Sequence, residues 1–337
     1  MSSHALPWSE CPTLTLDAAR PMTRRFEQIP ERAIRDAGEL LASIRSSIPA
    51  AARRLANLAR VRTLNRFHAE LVALSQLVNA DWRDLMLANL SYDLVVGSLG
   101  CSTVALATKD GPVVARNMDW FPEDILARAS WLVRTEKDGR LQFVNAGWPG
   151  AVGVVTGLSG RGFALVLNAV SGPEGHNVLG YPVLLHLRRV LEDSTGFDDA
   201  LRRLTEVRLA TPCLVTLVGT RNDQRVTVER SPTRFALRRP QGDEPLVCTN
   251  DYRLLFRDAA SGEHVLFRTA CGRYDALCQS FSTGTAQRSV SDDELLYALT
   301  DPRVIQGITA QHIILRPGAG TVRMFVPTRL LDSSRLG

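Results

Sequence analysis

Lysine is nearly missing from this 337-residue chain: Lys109 and Lys137 are the only two, so the formal charge of +5 rests on arginine. The arginines form no stripe. They come in scattered pairs such as Arg24–Arg25, Arg53–Arg54, Arg188–Arg189 and Arg202–Arg203, each near acids, with no groove-reading or RNA-binding signature, which argues against a nucleic-acid partner. Long apolar runs are missing too. Nothing approaches the ~18 residues of a membrane span, and the opening MSSHALPWSECP lacks a basic stretch followed by an apolar one. The expected address is the cytoplasm, with membrane contact and self-association left open. Cys-x-x-Cys pairs and zinc-finger histidine spacing are absent, which argues against structural zinc or a disulfide framework for Cys11, Cys101, Cys213, Cys248, Cys271 and Cys278. No Lys-Ser/Thr follows Gly150, Gly153 and Gly157. Those glycines are expected to permit close packing rather than to cradle phosphate.

What is present is a chain with 45% apolar and 22% charged residues, enough for one large core or two smaller ones. From Pro30 to about Val96 the apolar periodicity is helical, with Pro30 and Asn79 as start signals. After Cys101 short alternating runs take over, separated by turn chemistry at Asp110-Gly111, Asp138-Gly139 and Arg221-Asn222-Asp223. Helices are expected near Gly180 to Glu192, Phe197 to Val207, Ala270 to Phe281 and Asp292 to Leu299, and a last strand near Thr321 to Val326. Such a pattern suits packed antiparallel sheets covered by helices.

The pattern changes at GSLGCSTVALATKDGPVVARNMDW, Gly97 to Trp120. A cysteine attacks only as thiolate, and a pKa of about 8.5 leaves it mostly protonated at neutral pH. It needs a base, and none of the histidines sits in a recognisable cysteine-protease signature. If the chain breaks just before Cys101, the freed α-amine, with a pKa of about 7.7 to 8.0, can serve. A hairpin turning at Asp110-Gly111 then returns Arg116 and Asp119 to the cysteine, where a carboxylate can hold the amine and a guanidinium can lower the thiol pKa. The competing readings are a buried small side chain for Cys101 and a surface ion pair for Arg116 and Asp119.

GCSTVALA followed by ARNMDW resembles the catalytic subunit of the N-terminal-nucleophile cysteine hydrolases, the group of acid ceramidase, N-acylethanolamine acid amidase, choloylglycine hydrolases and penicillin acyltransferases. The similarity runs in order through LTLDA, ANLSYDL, WPGAVGVVTGLSGRGFALVLN, ATPCLVTLVGT, CTNDY and FRTACGRYDAL. The resemblance implies an α+β, four-layer αββα sandwich. Residues 1–100 would form a mostly helical N-terminal (alpha) subunit or pro-segment, and 101–337 the catalytic (beta) subunit, separated by self-cleavage between Gly100 and Cys101. It implies amide cleavage through a Cys101 acyl-thioester, with no metal or organic cofactor and with a small N-acyl amide as partner. Acyl transfer to an amine and an uncleaved binding protein on the same fold are the alternatives. Arg116 and Asp119 match the family's R-N-x-D pair, Asn250 the Thr-Asn motif beside the oxyanion, and Asn168 a position across from it, unless Asn168 merely caps a turn. Arg268 matches the arginine that follows the Thr-Asn motif, with Arg273 as rival. Ala169 stands where the ceramidases carry Glu, and TNDY departs from Thr-Asn-Tyr-Asp, which argues against ceramide as substrate. Trp120, Phe121, Trp148 and Leu158 are expected to line an apolar acyl pocket.

Overall fold

The computed structural model describes residues 7–48, 52–94, 99–257, 268–282 and 284–331. Val96, the expected helix limit, and the Gly97-Ser98 lead-in to the cysteine lie outside them. The strands in chain order are β1 (Trp8–Glu10), β2 (Thr13–Asp17), β3 (Leu99–Leu106), β4 (Val113–Trp120), β5 (Trp131–Lys137), β6 (Arg140–Gly147), β7 (Thr156–Ser159) and β8 (Phe163–Asn168). They continue with β9 (Cys213–Val218), β10 (Arg225–Arg230), β11 (Phe235–Arg238), β12 (Leu246–Cys248), β13 (Thr309–Arg316) and β14 (Thr321–Pro327). The helices are α1 (Met22–Arg25), α2 (Glu31–Ser47), α3 (Arg53–Arg62), α4 (His68–Leu77), α5 (Trp82–Asn89), α6 (Ser91–Leu94), α7 (Glu123–Arg128), α8 (Val183–Asp193), α9 (Phe197–Glu206), α10 (Ala270–Ser280) and α11 (Asp292–Leu299).

One sheet has the order β1-β14-β13-β4-β3-β12 and the other β11-β10-β9-β8-β7-β6-β5-β2. Side chains alternate across a strand, so each strand serves two layers. In β8, Phe163, Leu165 and Leu167 pack with Val190 and Leu191 of α8 and Leu204 of α9. Ala164 and Val166, between them in sequence, meet Ala105, Val114 and Ile313 of the other sheet. The outer face of the first sheet, through Val104, Val113 and Ala115, is covered by Leu277 of α10 and Leu295 and Leu299 of α11. The result is the expected αββα order. Helices α2 to α5 bury a separate cluster around Leu71 and Met86 that closes on Trp131 of β5 and Leu185 of α8.

Local chemistry explains the boundaries. Gly111 at φ 93° turns the β3–β4 hairpin, and Asp138 and Gly139, at 52° and 71°, turn β5 into β6. The cap of α5 is Asp81, whose carboxylate accepts from the Arg83 N–H at 2.8 Å. Asn79, the expected start signal, instead takes a φ of 49° in the preceding turn. A Cβ on Gly153 would lie 2.6 Å from Leu184, and one on Gly157 2.5 Å from Leu191, so these two glycines do admit α8 close to the sheet.

Two features depart from the sequence reading. Strands β1 and β2 place the first described residues in both sheets, so residues 1–100 do more than wrap the sandwich with helices. The β2–β5 pair is also parallel, whereas the other paired strands among the described residues are antiparallel.

Candidate active site

Strands β3 and β4 pair so that Gly100 lies opposite Asp119, Cys101 opposite Met118, Ser102 opposite Asn117 and Thr103 opposite Arg116. Cross-strand partners share a face. Cys101, Thr103, Arg116 and Met118 therefore point toward the second sheet, while Ser102, Asn117 and Asp119 take the alternate face.

Arg116 is fully buried and reaches across the inter-sheet space. Its Nη2 donates to Cys101 Sγ at 2.6 Å, its Nη1 to Thr156 Oγ1 on β7 at 2.8 Å, and Nε and Nη2 to the Asn117 carbonyl at 3.2 and 3.1 Å. Burial pushes the Cys101 thiol pKa up. The Arg116 guanidinium opposes that, the Asp119 carboxylate adds to it, and the main-chain N–H groups of Ala169 and Asp119 directed at the sulfur lower it, with the net direction still upward.

The backbone of Cys101 is held from the other side. Asn250, just past β12, accepts the Cys101 N–H on Oδ1 at 3.1 Å and donates Nδ2 to the Ala169 carbonyl at 2.8 Å. Arg273 of α10 donates to that same Asn250 Oδ1 at 2.7 Å, to the Cys101 carbonyl at 2.6 Å and to Ser102 Oγ at 2.9 Å. Asp119, fully buried, accepts on Oδ1 from Thr309 Oγ1 at 2.6 Å, and its Oδ2 finds no partner among the described residues. Burial raises the Asp119 pKa, and Arg273, Thr309 and Arg116 offset only part of that rise.

Of the residues expected at the site, Cys101, Arg116, Asp119 and Asn250 converge. Arg268 does not: it stands exposed at the head of the helix, and the arginine within the cluster is Arg273. The readable signal for Arg273 is its place on the buried stripe Ala270–Arg273–Leu277, where an arginine at helical spacing has no reason to be unless it meets polar partners. Asn168, at the end of β8, has both ends of its amide engaged. It accepts from Thr103 Oγ1 at 2.8 Å and donates to the Cys248 carbonyl at 3.0 Å, a strut tying β8 to the opposite sheet. Thr156 and Thr309 carried no local signal, because their roles come from strands distant in sequence.

A cavity of about 450 Å3 lies between α2, α5 and the sandwich, and none of Cys101, Arg116, Asp119, Asn250 and Arg273 is part of its lining. Trp120, next to Asp119, lines it with Phe121, Trp148, Leu40, Ile44 and Leu184. Leu158 is elsewhere, in the packing between the sheets.

Residues 106–291, more than half of the chain, match the family described as acyl-coenzyme A:6-aminopenicillanic acid acyl-transferase. The chain belongs to this acyltransferase family. Among curated proteins, this family member is similar to the N-acylethanolamine-hydrolyzing acid amidases of Caenorhabditis elegans, at 23% identity over 42% of this chain and 44% of the relative, and of Oryctolagus cuniculus, at 27% over 49% and 48%. It is also similar to the acid ceramidase of Balaenoptera acutorostrata scammoni, at 23% identity over 49% of this chain and 47% of the relative. It thus spans about half the length of the curated relatives it matches. A solved structure of a Caenorhabditis elegans N-acylethanolamine-hydrolyzing acid amidase ortholog superposes with a TM-score of 0.54 at 18% identity, covering 65% of this chain and 93% of that one, and shares its fold. Family and fold place this acyltransferase-family chain in the N-terminal-nucleophile hydrolase group. No helix among its described residues is long and apolar enough to cross a membrane.

Proposed function

We propose that the chain is an N-terminal-nucleophile cysteine amidase that matures by cutting itself between Gly100 and Cys101. The observation that carries this reading is that both functional groups of Cys101 are already held, its sulfur by Arg116 at 2.6 Å and its nitrogen by Asn250 at 3.1 Å. In self-cleavage the thiol adds to the Gly100 carbonyl. The Gly100–Cys101 C–N bond breaks, the nitrogen takes up the thiol proton, and water resolves the thioester to a Gly100 carboxylate and a free thiol.

The α-amine so released is the base for turnover. It accepts the thiol proton as sulfur attacks an N-acyl amide, then passes that proton to the departing amine, leaving an acyl-thioester that water hydrolyses. Asp119, in register with Gly100, receives the ammonium on its unpartnered Oδ2, while Asn250 Oδ1 keeps hold of the same nitrogen. Arg116 favours the thiolate against the cost of burial. In this reading the developing oxyanion is met by the N–H groups of Ala169 and Asp119, already directed at the sulfur, and by the second Nδ2 proton of Asn250, whose first is given to the Ala169 carbonyl. Arg273 orients Asn250 through its 2.7 Å bond. The match to an acyltransferase family favours one second reading, in which an amine in place of water resolves the same thioester.

The acyl group is apolar in this proposal. A cavity of about 450 Å3 is within the ~300–1,000 Å3 of small-molecule sites, and its walls are mainly apolar, with Trp120, Trp148, Leu40, Ile44 and Leu184, although Asn89, Ser91 and Asn145 also line it. The test is intact-mass analysis across pH. Wild-type protein should yield a fragment beginning at Cys101, and Cys101→Ala should remain whole and without acyl-transfer activity. A split Cys101→Ala chain, or a wild-type chain that never splits, refutes the reading. A panel of N-acyl amides from acetyl to palmitoyl then tests the substrate: preference for the shortest or for charged acyl groups would sink the apolar pocket, and ceramide as best substrate would show that Ala169 does not discriminate.

A further inference from the structure

Strand β13 runs in regular register with β4 from Leu315 opposite Val114 to Gln311 opposite Met118. Continued without interruption, that register would set Ala310 against Asp119 and move Thr309 one residue on. A β-bulge intervenes, and Thr309 itself lies opposite Asp119. An extra residue in one strand re-aims the side chain beyond it, at the cost of a locally broken ladder. Here the side chain gained is a hydroxyl, completely buried, against a completely buried carboxylate.

The direction of the resulting bond is fixed by proton count. Thr309 Oγ1 accepts the Gln306 N–H at 3.0 Å and has one proton to give, which goes to Asp119 Oδ1 at 2.6 Å. The loop before β13 is in turn closed by the Thr309 N–H on the Gln306 carbonyl at 3.0 Å. The hydroxyl is therefore oriented by its own loop before it meets the carboxylate. Oδ1 is occupied, rotation of the carboxylate is restrained, and Oδ2 is the oxygen left to accept.

We propose that Thr309 is a positioning residue for Asp119: it pins Oδ1 so that Oδ2 alone is presented to the α-ammonium of Cys101 in the cut chain. This rests on the proposed nucleophile and deepens it. A hydroxyl donated to a carboxylate favours its ionised form, which is the form an ammonium needs. Were Thr309 merely a tie between β13 and β4, its loss would lower stability and leave the proton chemistry alone.

The experiment compares full-length wild-type, Thr309→Val and Thr309→Ser proteins. Each is followed by intact mass to the cut form and then assayed for turnover of N-lauroyl p-nitroanilide as a function of pH. Thr309→Val should lower kcat at least about tenfold and move the acid limb of kcat/KM upward by about one pH unit, because losing a hydrogen bond to an ionised group makes that ionisation harder. Thr309→Ser, which keeps the hydroxyl, should return the limb to its wild-type position even if the missing methyl lowers stability. Superimposable profiles for Thr309→Val and wild type overturn the proposal, as does a Thr309→Ser limb displaced like that of Thr309→Val. A wild-type chain that never divides at Gly100 removes the underlying reading together with the proposal, and it does so before any variant is compared.

Discussion

Near its turn, the β3–β4 hairpin pairs Ala105 with Val114 and Leu106 with Val113, while at its open end the same two strands pair Ser102 with Asn117 and set Gly100 against Asp119. Burial does not separate the two ends: Leu106 and Val113 are as inaccessible as Arg116 and Asp119. What differs is how the burial is compensated. The apolar end gains from leaving water and needs no particular partner. The open end holds a guanidinium and a carboxylate that would be costly to desolvate unless hydrogen-bonded. Every donor of Arg116 that touches the site is used, whereas one oxygen of Asp119 is left over.

This contrast is open to attack from either end, and the largest effect is expected at the open one. Asp119→Asn should reduce turnover by about a thousandfold, about 4 kcal/mol of transition-state stabilisation, since a neutral amide cannot pair with an ammonium. The folded pKa of Asp119 is raised, so its contribution to stability is present at low pH and is lost as pH rises through that folded value. Thermal melting of Asp119→Asn should therefore be no lower than wild type at pH 8; a large loss of stability with normal turnover would reduce Asp119 to architecture. Asn250→Ala should follow, with kcat down by roughly 10²–10³ as for other oxyanion-side donors. Single-turnover kinetics would show the loss in acylation, and a change confined to KM would count against the role.

At the apolar end the currency changes from rate to stability. Leu106→Ala should destabilise the fold by about 2–5 kcal/mol with kcat unchanged, read by urea unfolding alongside turnover. Loss of rate without loss of stability would break the distinction between the ends. An effect that leaves turnover untouched and shows only in the pH dependence of stability is expected at Asp93, whose carboxylate accepts the Val183 N–H at 3.2 Å and whose pKa burial raises to about 7. Because that folded value exceeds the unfolded one, wild type should lose stability as pH rises from about 4 to 7. Asp93→Asn should match wild type at pH 4 and melt higher at pH 8. A constant difference across that range would contradict the titration.

The grouping of Cys101, Arg116 and Asp119 was legible because a hairpin makes distant residues neighbours through one local signal, Asp110-Gly111, and the alternating pattern does the rest. The αββα layering was legible for the same kind of reason: runs such as FALVLN are apolar on both faces and demand two packing partners. What escaped depends on register between strands far apart in sequence. Thr309 reaches Asp119 only through a bulge 190 residues away, and no local pattern in GITAQHIILR announces an extra residue. Asn168 ends its strand where the motif puts it, but which of two neighbours its amide meets is settled by Thr103 and Cys248 across the sandwich. Arg268 and Arg273 share one motif, and choosing between them requires the phase of the helix that starts there.

Strands β1 and β2 each cover one edge of a sheet, β1 against β14 and β2 against β5, and Tyr92 donates its hydroxyl to the Pro212 carbonyl at 2.7 Å. If the chain is cut before Cys101, as proposed, these contacts join two molecules rather than two stretches of one. Separating them would uncover two raw strand edges of the kind that recruit other chains. Folding of the nicked protein then becomes an association, subject to mass action. Its melting midpoint should rise with protein concentration, while that of the uncut Cys101→Ala chain stays fixed, so that a single peptide bond decides whether dilution is a form of denaturation.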